Sequence, residues 1–237
     1  MCTVIIQVPD RADAPVRLLA IRDEDPGRPW LPLGESWPDT HPGVVGVRDV
    51  RAGGAWLAAD PRHGRLSVLL NRADVSNRPE ADLVSRGGIV LASVAGSSPS
   101  GAPSTHGFNL VEVDGTTARA MLWDGETLRE APFEPGTHMI AHDDVDDPRT
   151  ARIARWLPEF RAAEVEGDAW WQPWLEIIGR SAALPHDDDR TIVRDNRAFG
   201  YPTLSLLVCA ATLSPGEVDL RYAELPAPGA WGQVTLA

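Results

Sequence analysis

Cysteine is scarce in this chain, which contains only Cys2 and Cys209. Two thiols are too few for a disulfide scaffold or for a zinc site built on cysteines. The apolar run that opens the sequence is short, has no basic segment before it and breaks at Pro9, unlike a signal peptide or a membrane span. We therefore expect a cytoplasmic protein whose two thiols are free.

The chain has few positively charged residues. It contains 22 Lys and Arg residues and 34 Asp and Glu residues, so its formal net charge is −12. A surface of that sign repels phosphate backbones, so the composition argues against nucleic-acid partners. It also argues against docking on anionic membranes. The 237 residues, 43% of them hydrophobic, are enough to bury one large core, so we expect a single domain over 1–237.

Most of the chain has the pattern of short strands rich in β-branched residues. By contrast, residues 23–43 are rich in Pro, Gly and Asp, which predicts an irregular loop. The strands are predicted at 3–8, 16–21, 44–50, 55–59, 66–71, 108–113, 118–123, 137–141, 204–211 and 218–222.

Helical patterns are fewer. Segment 86–94 fits a short helix or a buried strand, and periodicity does not decide between them. The clearest helix is predicted after Asp147-Pro148, a capping residue followed by proline, and Pro158 should kink it or end it. Asp168 is expected to cap a second helix. Strands, then helices, then strands indicate an α+β fold with a largely antiparallel sheet.

Cys2 is the residue of the sequence that is best suited to catalysis. Its small side chain lets methionine aminopeptidases remove Met1, which would leave Cys2 as the first residue of the mature chain. The freed α-amino group, with a pKa of about 7.7–8.0 in peptides, can take the thiol proton directly or through a water. The competing interpretation is that cysteine follows the initiator methionine here without any special role.

Several segments follow one another in the order seen in a known family. The Met-Cys pair at 1–2 precedes a β-branched strand, and Arg-Asp-Glu at 22–24 is followed by Arg-Pro at 28–29. The other matching segments are Gly53-Gly54-Ala55-Trp56-Leu57-Ala58, Leu69-Leu70-Asn71-Arg72, Ser85-Arg86-Gly87 and Gly107-Phe108-Asn109-Leu110. With these motifs the chain resembles the NRDE family, whose animal members are called TANGO2.

Two positions depart from that family's pattern. Ile21 stands where the name motif has Asn, and segment 200–205 lacks the Arg of the family's late aromatic-Gly-Thr-Arg motif. The family in turn resembles N-terminal-nucleophile (Ntn) hydrolases that cleave C–N bonds in linear amides, such as penicillin V acylases and bile salt hydrolases. The resemblance implies an Ntn-hydrolase-like αββα sandwich, in which two largely antiparallel sheets are covered by helices.

The same likeness implies which charged groups surround the nucleophile. Arg22 would lie beside the Cys2 thiol and favour its anion, and Asp23 or Asp25 would orient the α-amine. The competing interpretation for Arg22, Asp23 and Glu24 is a solvated connection at the end of a strand, held by a local ion pair.

The likeness also implies residues that contact the substrate. Asn71 or Asn109 would offer an amide N–H to a developing oxyanion. Asp25, Arg28 and Trp56 would complete the substrate site. For the two asparagines, a role in capping a turn or a strand end is an equally good interpretation.

Other chemical features of the sequence are weaker. His138 and His142 lie four residues apart in a segment with strand character, which separates them by about 13 Å, so a metal site is not expected. No haem ligand pattern occurs, and no cofactor is expected. Trp170, Trp171 and Trp174 either line an apolar pocket or fill the core.

Two functions follow from these observations. The first is a cysteine amidohydrolase in which Cys2 attacks an amide bond of an unknown small-molecule substrate. The second is a protein that keeps the fold and pocket but binds or transports haem or an acyl-lipid without turnover. The second rests on the link of the resembled family to haem handling and to lipid metabolism.

Overall fold

The computed structural model describes residues 2–11 and 13–237, so Met1, and with it the predicted removal of Met1, lies outside the described residues. The described part contains twelve strands and three α-helices. The strands are β1 (Thr3–Val8), β2 (Val16–Glu24), β3 (Trp30–Gly34), β4 (Val45–Asp49), β5 (Ala55–Asp60), β6 (Arg65–Asn71), β7 (Phe108–Asp114), β8 (Thr117–Trp123), β9 (Leu128–Pro132), β10 (Gly136–Ile140), β11 (Leu204–Ser214) and β12 (Glu217–Glu224). The helices are α1 (Gly87–Val94), α2 (Ala151–Ala162) and α3 (Gln172–Ala182).

The strands form two sheets. One has five strands in the order β10-β1-β2-β11-β12, and the other has seven in the order β3-β4-β5-β6-β7-β8-β9. The paired strands run antiparallel in both sheets. In the seven-stranded sheet each strand pairs with the next strand in sequence. A short turn is enough to join antiparallel neighbours, as between β7 and β8, whereas α1 lies in the longer connection between β6 and β7.

Alternating side chains divide the core into layers. Along β1, Val4 and Ile6 pack between the two sheets, whereas Ile5 packs on the other face against α2 and α3. This division follows from the strand period of two, which sends successive side chains to opposite faces. The space between the sheets is filled by apolar residues from both, including Leu57 and Val111.

The helices cover the two outer faces. Helices α2 and α3 bury Trp156, Phe160 and Trp174 against the five-stranded sheet. Helix α1 buries Val90 and Val94 against the seven-stranded sheet. The order of layers is therefore helix, sheet, sheet, helix, and the predicted α+β sandwich of the αββα type is confirmed.

Two strands were absent from the sequence prediction. Strand β3 lies inside 23–43, where an irregular loop was predicted, so that prediction is wrong at Trp30–Gly34. Strand β9 was not predicted at all. Both are the edge strands of the seven-stranded sheet and both contain a proline, Pro32 or Pro132, which edge strands tolerate. Their partial exposure removes the hydrophobic pattern by which strands are detected.

The helices also differ from the prediction in detail. Segment 87–94 is a helix, which resolves the open choice for 86–94. Helix α2 begins after Thr150 rather than at Asp147-Pro148, because the Asp147 carboxylate accepts hydrogen bonds within a turn, from the Arg149 N–H and guanidinium. The helix then continues through Pro158 to Ala162. Packing of its apolar face on the sheet outweighs the hydrogen bond that proline removes.

The predicted start of α3 is also wrong, because Asp168 does not cap this helix. The helix begins at Gln172 with Pro173 in its first turn, and Asp168 lies in the preceding turn. Proline suits this place because its missing N–H would have no partner inside the helix. Among the described residues, no helix is long and apolar enough to span a membrane.

Candidate active site

The pairing of β1 with β2 brings Cys2 next to Asp23. Thr3 lies opposite Ile21 in the antiparallel register, so the residue before Thr3 reaches the residues that follow Ile21. The Asp23 N–H donates to the Cys2 Sγ atom at 3.3 Å, and the thiol lies 3.6 Å from the Asp23 carbonyl oxygen. The predicted meeting of residues 2, 22 and 23 is therefore present in the fold.

Cys2 is a buried thiol, with 7% of its surface exposed. Burial raises the pKa of the Cys2 thiol above its ordinary value, and the negative charge of Asp23 raises it further. The Asp23 N–H and the Arg22 guanidinium act in the opposite direction and lower it, without reversing the net shift. Because the net shift is upward, the thiol rests in its neutral form.

Asp23 is held from the far end of the chain. Its carboxylate accepts a hydrogen bond from the Ser205 hydroxyl at 2.5 Å, across 182 residues of sequence. Ser205 lies where the register between β11 and β2 shifts, and such bulges re-aim side chains next to sites. The Ser205 oxygen also accepts the Arg194 N–H at 2.8 Å, so the hydroxyl that binds Asp23 is itself fixed.

Arg22 is a buried guanidinium with only 2% exposure. Its Nη2 atom lies 3.5 Å from Glu24 Oε2, and its guanidinium carbon lies 5.7 Å from the centre of the Trp30 ring. Its Nη1 atom has no hydrogen-bond partner among the described residues. A buried guanidinium nitrogen without a partner is costly, so this atom is expected to gain one when a ligand binds.

These groups open into a cavity of about 510 Å³ at the ends of the strands. That volume is in the range of sites for small molecules. Six of the residues predicted for the site contribute to its wall, namely Cys2, Arg22, Asp23, Arg28, Trp56 and Asn71. The wall also contains residues that were not predicted, among them Asp49, Glu80, Arg86 and His106.

The family model for TANGO2, described as transport and Golgi organisation 2, matches residues 1–199. The chain belongs to the TANGO2 family. No curated protein matches the sequence. The match includes the site segments around residues 2, 22, 56 and 71 and ends before β11, which contributes Ser205.

Two predicted substrate residues of this TANGO2-family protein do not line the cavity. The Asn109 amide is fully buried and donates to the carbonyl oxygens of Ala141 and Asp143, at 3.0 and 2.8 Å. Its oxygen accepts a bond from Arg72, so the side chain ties β7 to the loop after β10. Asp25 accepts the Gly27 N–H at 2.8 Å within a turn.

Arg28 forms the best-defined ion pair of the cavity wall. Its Nη2 and Nε atoms lie 2.6 and 2.7 Å from Asp49 Oδ2. Burial raises the pKa of Asp49, but the hydrogen bonds from Arg28 and from the Ala52 N–H outweigh burial and hold that pKa below its ordinary value. The carboxylate therefore stays charged, and Arg28 is oriented by a partner 21 residues away.

Two further buried guanidiniums, those of Arg152 and Arg194, were missed in the sequence analysis. Arg152 of α2 donates to the Thr3 hydroxyl at 3.0 Å, and burial together with the charge of Arg194 lowers its pKa to about 10. Arg194 donates to Asn196 Oδ1 at 3.1 Å. A signal for Arg152 exists in the sequence, since it lies in phase with Trp156 and is therefore a charged residue on the apolar face of a helix.

A close contact of two glycines positions the start of α1 at the cavity. A Cβ atom on Gly54 would overlap the backbone of Gly87, so only glycine lets β5 and α1 approach this closely. We expect Gly54→Ala to lower the free energy of unfolding by about 1–3 kcal/mol, measured by urea denaturation. Gly88→Ala is the matched control, because a Cβ there meets no atom within 4 Å and alanine favours a helix. Equal stability of both variants would contradict the close contact.

The two histidines weighed as a metal pair have separate partners. His138 Nδ1 lies 2.7 Å from Asp146 Oδ2 and its Nε2 lies 2.8 Å from the Glu134 carbonyl oxygen. Both partners are acceptors, which suits the doubly protonated ring. His142 Nε2 lies 3.4 Å from Asp143 Oδ2.

The His138 contacts predict a pH dependence of stability. The hydrogen bond to Asp146 raises the pKa of His138 above its ordinary value of about 6.5. The resulting stabilisation is complete below the unfolded pKa and is lost as pH rises through the folded pKa. The difference in urea midpoint between wild type and His138→Gln should therefore be larger at pH 6 than at pH 9. The exposed His186→Gln serves as control, and a difference that grows with pH would refute the assignment.

Proposed function

We propose that this protein is a cysteine amidohydrolase that cleaves a C–N bond of a small amide, with Cys2 as nucleophile after removal of Met1. The observation that carries the proposal is the place of Cys2 in the wall of the 510 Å³ cavity, with its Sγ atom held by the backbone of Asp23. A nucleophile at the chain terminus needs no separate histidine, because its own α-amine serves as the base.

In the proposed mechanism the α-amine takes the thiol proton while the sulfur attacks the amide carbonyl carbon. The C–N bond then breaks, and the leaving amine receives that proton. A water molecule hydrolyses the thioester, releases the carboxylic acid and restores the thiol. A thiol that is neutral at rest needs a base during attack, and in this scheme the α-amine supplies it.

The surrounding residues have distinct roles in this scheme. Asp23, held by Ser205, orients the terminal amine, and the buried positive charge of Arg22 favours the sulfur as it becomes negative. Asn71 ends β6 in the cavity wall and is the candidate donor to the oxyanion. Asn109 is left out of the scheme because its amide already bonds to two carbonyl oxygens.

The competing prediction of a haem or acyl-lipid carrier has less support from the cavity. Four carboxylates and four guanidiniums contribute to the cavity wall formed by the described residues, whereas a hydrophobic ligand requires a mostly apolar lining. The guanidiniums belong to Arg22, Arg28, Arg51 and Arg86. This composition suits a small polar amide.

The proposal is tested by the state and reactivity of the chain terminus. Intact-mass measurement is expected to show that Met1 is absent, and incubation with p-nitrophenyl acetate is expected to leave one acetyl group on Cys2. Amides of increasing acyl length are then assayed by the release of primary amine. A lysine inserted between Met1 and Cys2 keeps the methionine in place and should abolish turnover. Retained Met1 in the wild type, or equal turnover by the insertion variant, would rule the mechanism out.

A further inference from the structure

The wall of the cavity beside Cys2 contains hydrogen-bond donors that have no partner among the described residues. Its carboxylates already accept bonds: Asp23 from Ser205, Glu24 from the Asp25 N–H, Asp49 from Arg28, and Glu80 lies 2.9 Å from a ring nitrogen of His106. By contrast, Arg22 Nη1 and Trp56 Nε1 have no partner among the described residues. Both side chains are more than nine-tenths buried and contribute to the cavity wall. Hydrogen-bond acceptors on a ligand can therefore satisfy donors that the described residues leave unpaired.

Arg86 adds a positive charge to the same wall. It directly precedes α1, and its Nη1 atom donates to the Gly107 carbonyl oxygen at 2.7 Å, which leaves the rest of its guanidinium for other contacts. Burial lowers the pKa of Arg86, while the nearby charge of Asp74 favours its cation. Arg86 and Cys2 both contribute to the wall of this one cavity.

The N-terminal end of α1 adds a partial positive charge beside Arg86. Gly87, the first residue of the helix, also contributes to the cavity wall, and helix N-termini carry a partial positive charge. The close contact between Gly54 and Gly87 holds this helix end in place. The buried donors of Arg22 and Trp56 are independent of the helix and indicate the same kind of ligand.

We propose that Arg86 is the specificity residue of this site and binds a carboxylate group of the substrate, so that the substrate class is a small amide bearing a carboxylate, such as an N-acyl amino acid. That the bound molecule is hydrolysed rests on the proposed function. The binding of a carboxylate by Arg86 is independent of hydrolysis. A carboxylate offers the planar pair of acceptors that a guanidinium fits, and charged hydrogen bonds are the stronger ones. Arg22 and Trp56 supply the neighbouring donors of the pocket.

The test measures binding, so that it does not depend on turnover. Calorimetric titration compares N-benzoylglycine with N-benzoylglycinamide, and phenylacetate with phenylacetamide, on the full chain. We expect each acid to bind at least about tenfold more tightly than its amide. Arg86→Gln should remove that preference, and Arg86→Lys should retain part of it. Thermal unfolding of each variant checks that it folds.

The matched control is Arg62→Gln. Arg62 is exposed in the turn between β5 and β6, outside the cavity wall described above, and its replacement changes the net charge by the same amount. Arg62→Gln should change the acid preference by less than about twofold. Equal binding of acids and amides to the wild type, no saturable binding of either acid, or equal losses in the two Gln variants would overturn the proposal. Acid preference without amide hydrolysis would keep this proposal and refute the proposed function.

Discussion

Cys2→Ala is expected to abolish acyl-enzyme formation and to lower the rate of amide hydrolysis at least about 1,000-fold. In the proposed mechanism the Cys2 sulfur forms the thioester, so a cavity without that sulfur can bind the amide but cannot form the acyl-enzyme. The measurement is the amount of acetyl group that p-nitrophenyl acetate transfers, followed by intact mass and by peptide mapping. Cys2→Ser is expected to retain little of the activity, because a hydroxyl is a far weaker nucleophile near neutral pH.

Cys209→Ala is the matched control, because Cys209 is the other thiol of the chain. Cys209 is fully buried in β11, and burial raises its pKa strongly, so it remains an unreactive core residue. The control should keep the acylation of the wild type within about twofold. Acylation that survives in Cys2→Ala but is lost in Cys209→Ala would contradict the assignment of the nucleophile.

Trp174→Ala is expected to cause the largest loss of stability, about 3–5 kcal/mol. Trp174 of α3 is fully buried, and its ring packs edge-on against Phe160 at 5.9 Å and Trp170 at 5.3 Å. Its removal leaves a cavity in the layer between α2, α3 and the five-stranded sheet. Small proteins are stable by about 5–15 kcal/mol, so urea denaturation should show a large shift of the midpoint.

Trp174→Phe separates ring packing from the indole nitrogen. The Nε1 atom of Trp174 is buried and has no hydrogen-bond partner among the described residues, so its loss removes an unsatisfied donor. Phenylalanine keeps most of the apolar contact, and we expect it to cost less than half as much as alanine. A loss as large as that of Trp174→Ala would show that packing is not the main contribution of this side chain.

The strands that the sequence predicted best are the buried ones. The bounds of β1 were predicted without error, because its β-branched residues are buried on both faces of an inner strand. The edge strands β3 and β9 were missed, since their exposed residues and prolines lack such a pattern. The bounds of α2 differ from the prediction because tertiary packing, rather than local capping, decides where that helix begins and ends.

Some residues of the candidate site could be predicted from local sequence patterns, and others could not. Cys2, Arg22 and Asp23 could be predicted because they lie in neighbouring strands and match short motifs of the family. Ser205 bonds to Asp23 from 182 residues away, and Arg152 reaches Thr3 across 149 residues. No local pattern reports such contacts, because they depend on how the sheets and helices pack.

The sequence by itself determined the family, the strand-rich α+β class and the place of a thiol at the start of the chain, because motifs and strand periodicity are local properties. Only the tertiary structure decided that the Cys2 thiol is buried and that Arg86 shares its cavity. It also directed the Asn109 amide away from that cavity, toward the carbonyl oxygens of Ala141 and Asp143. Burial, charge and hydrogen bonding act over distances in space, and in this protein those distances are set by strands and helices far apart in the chain.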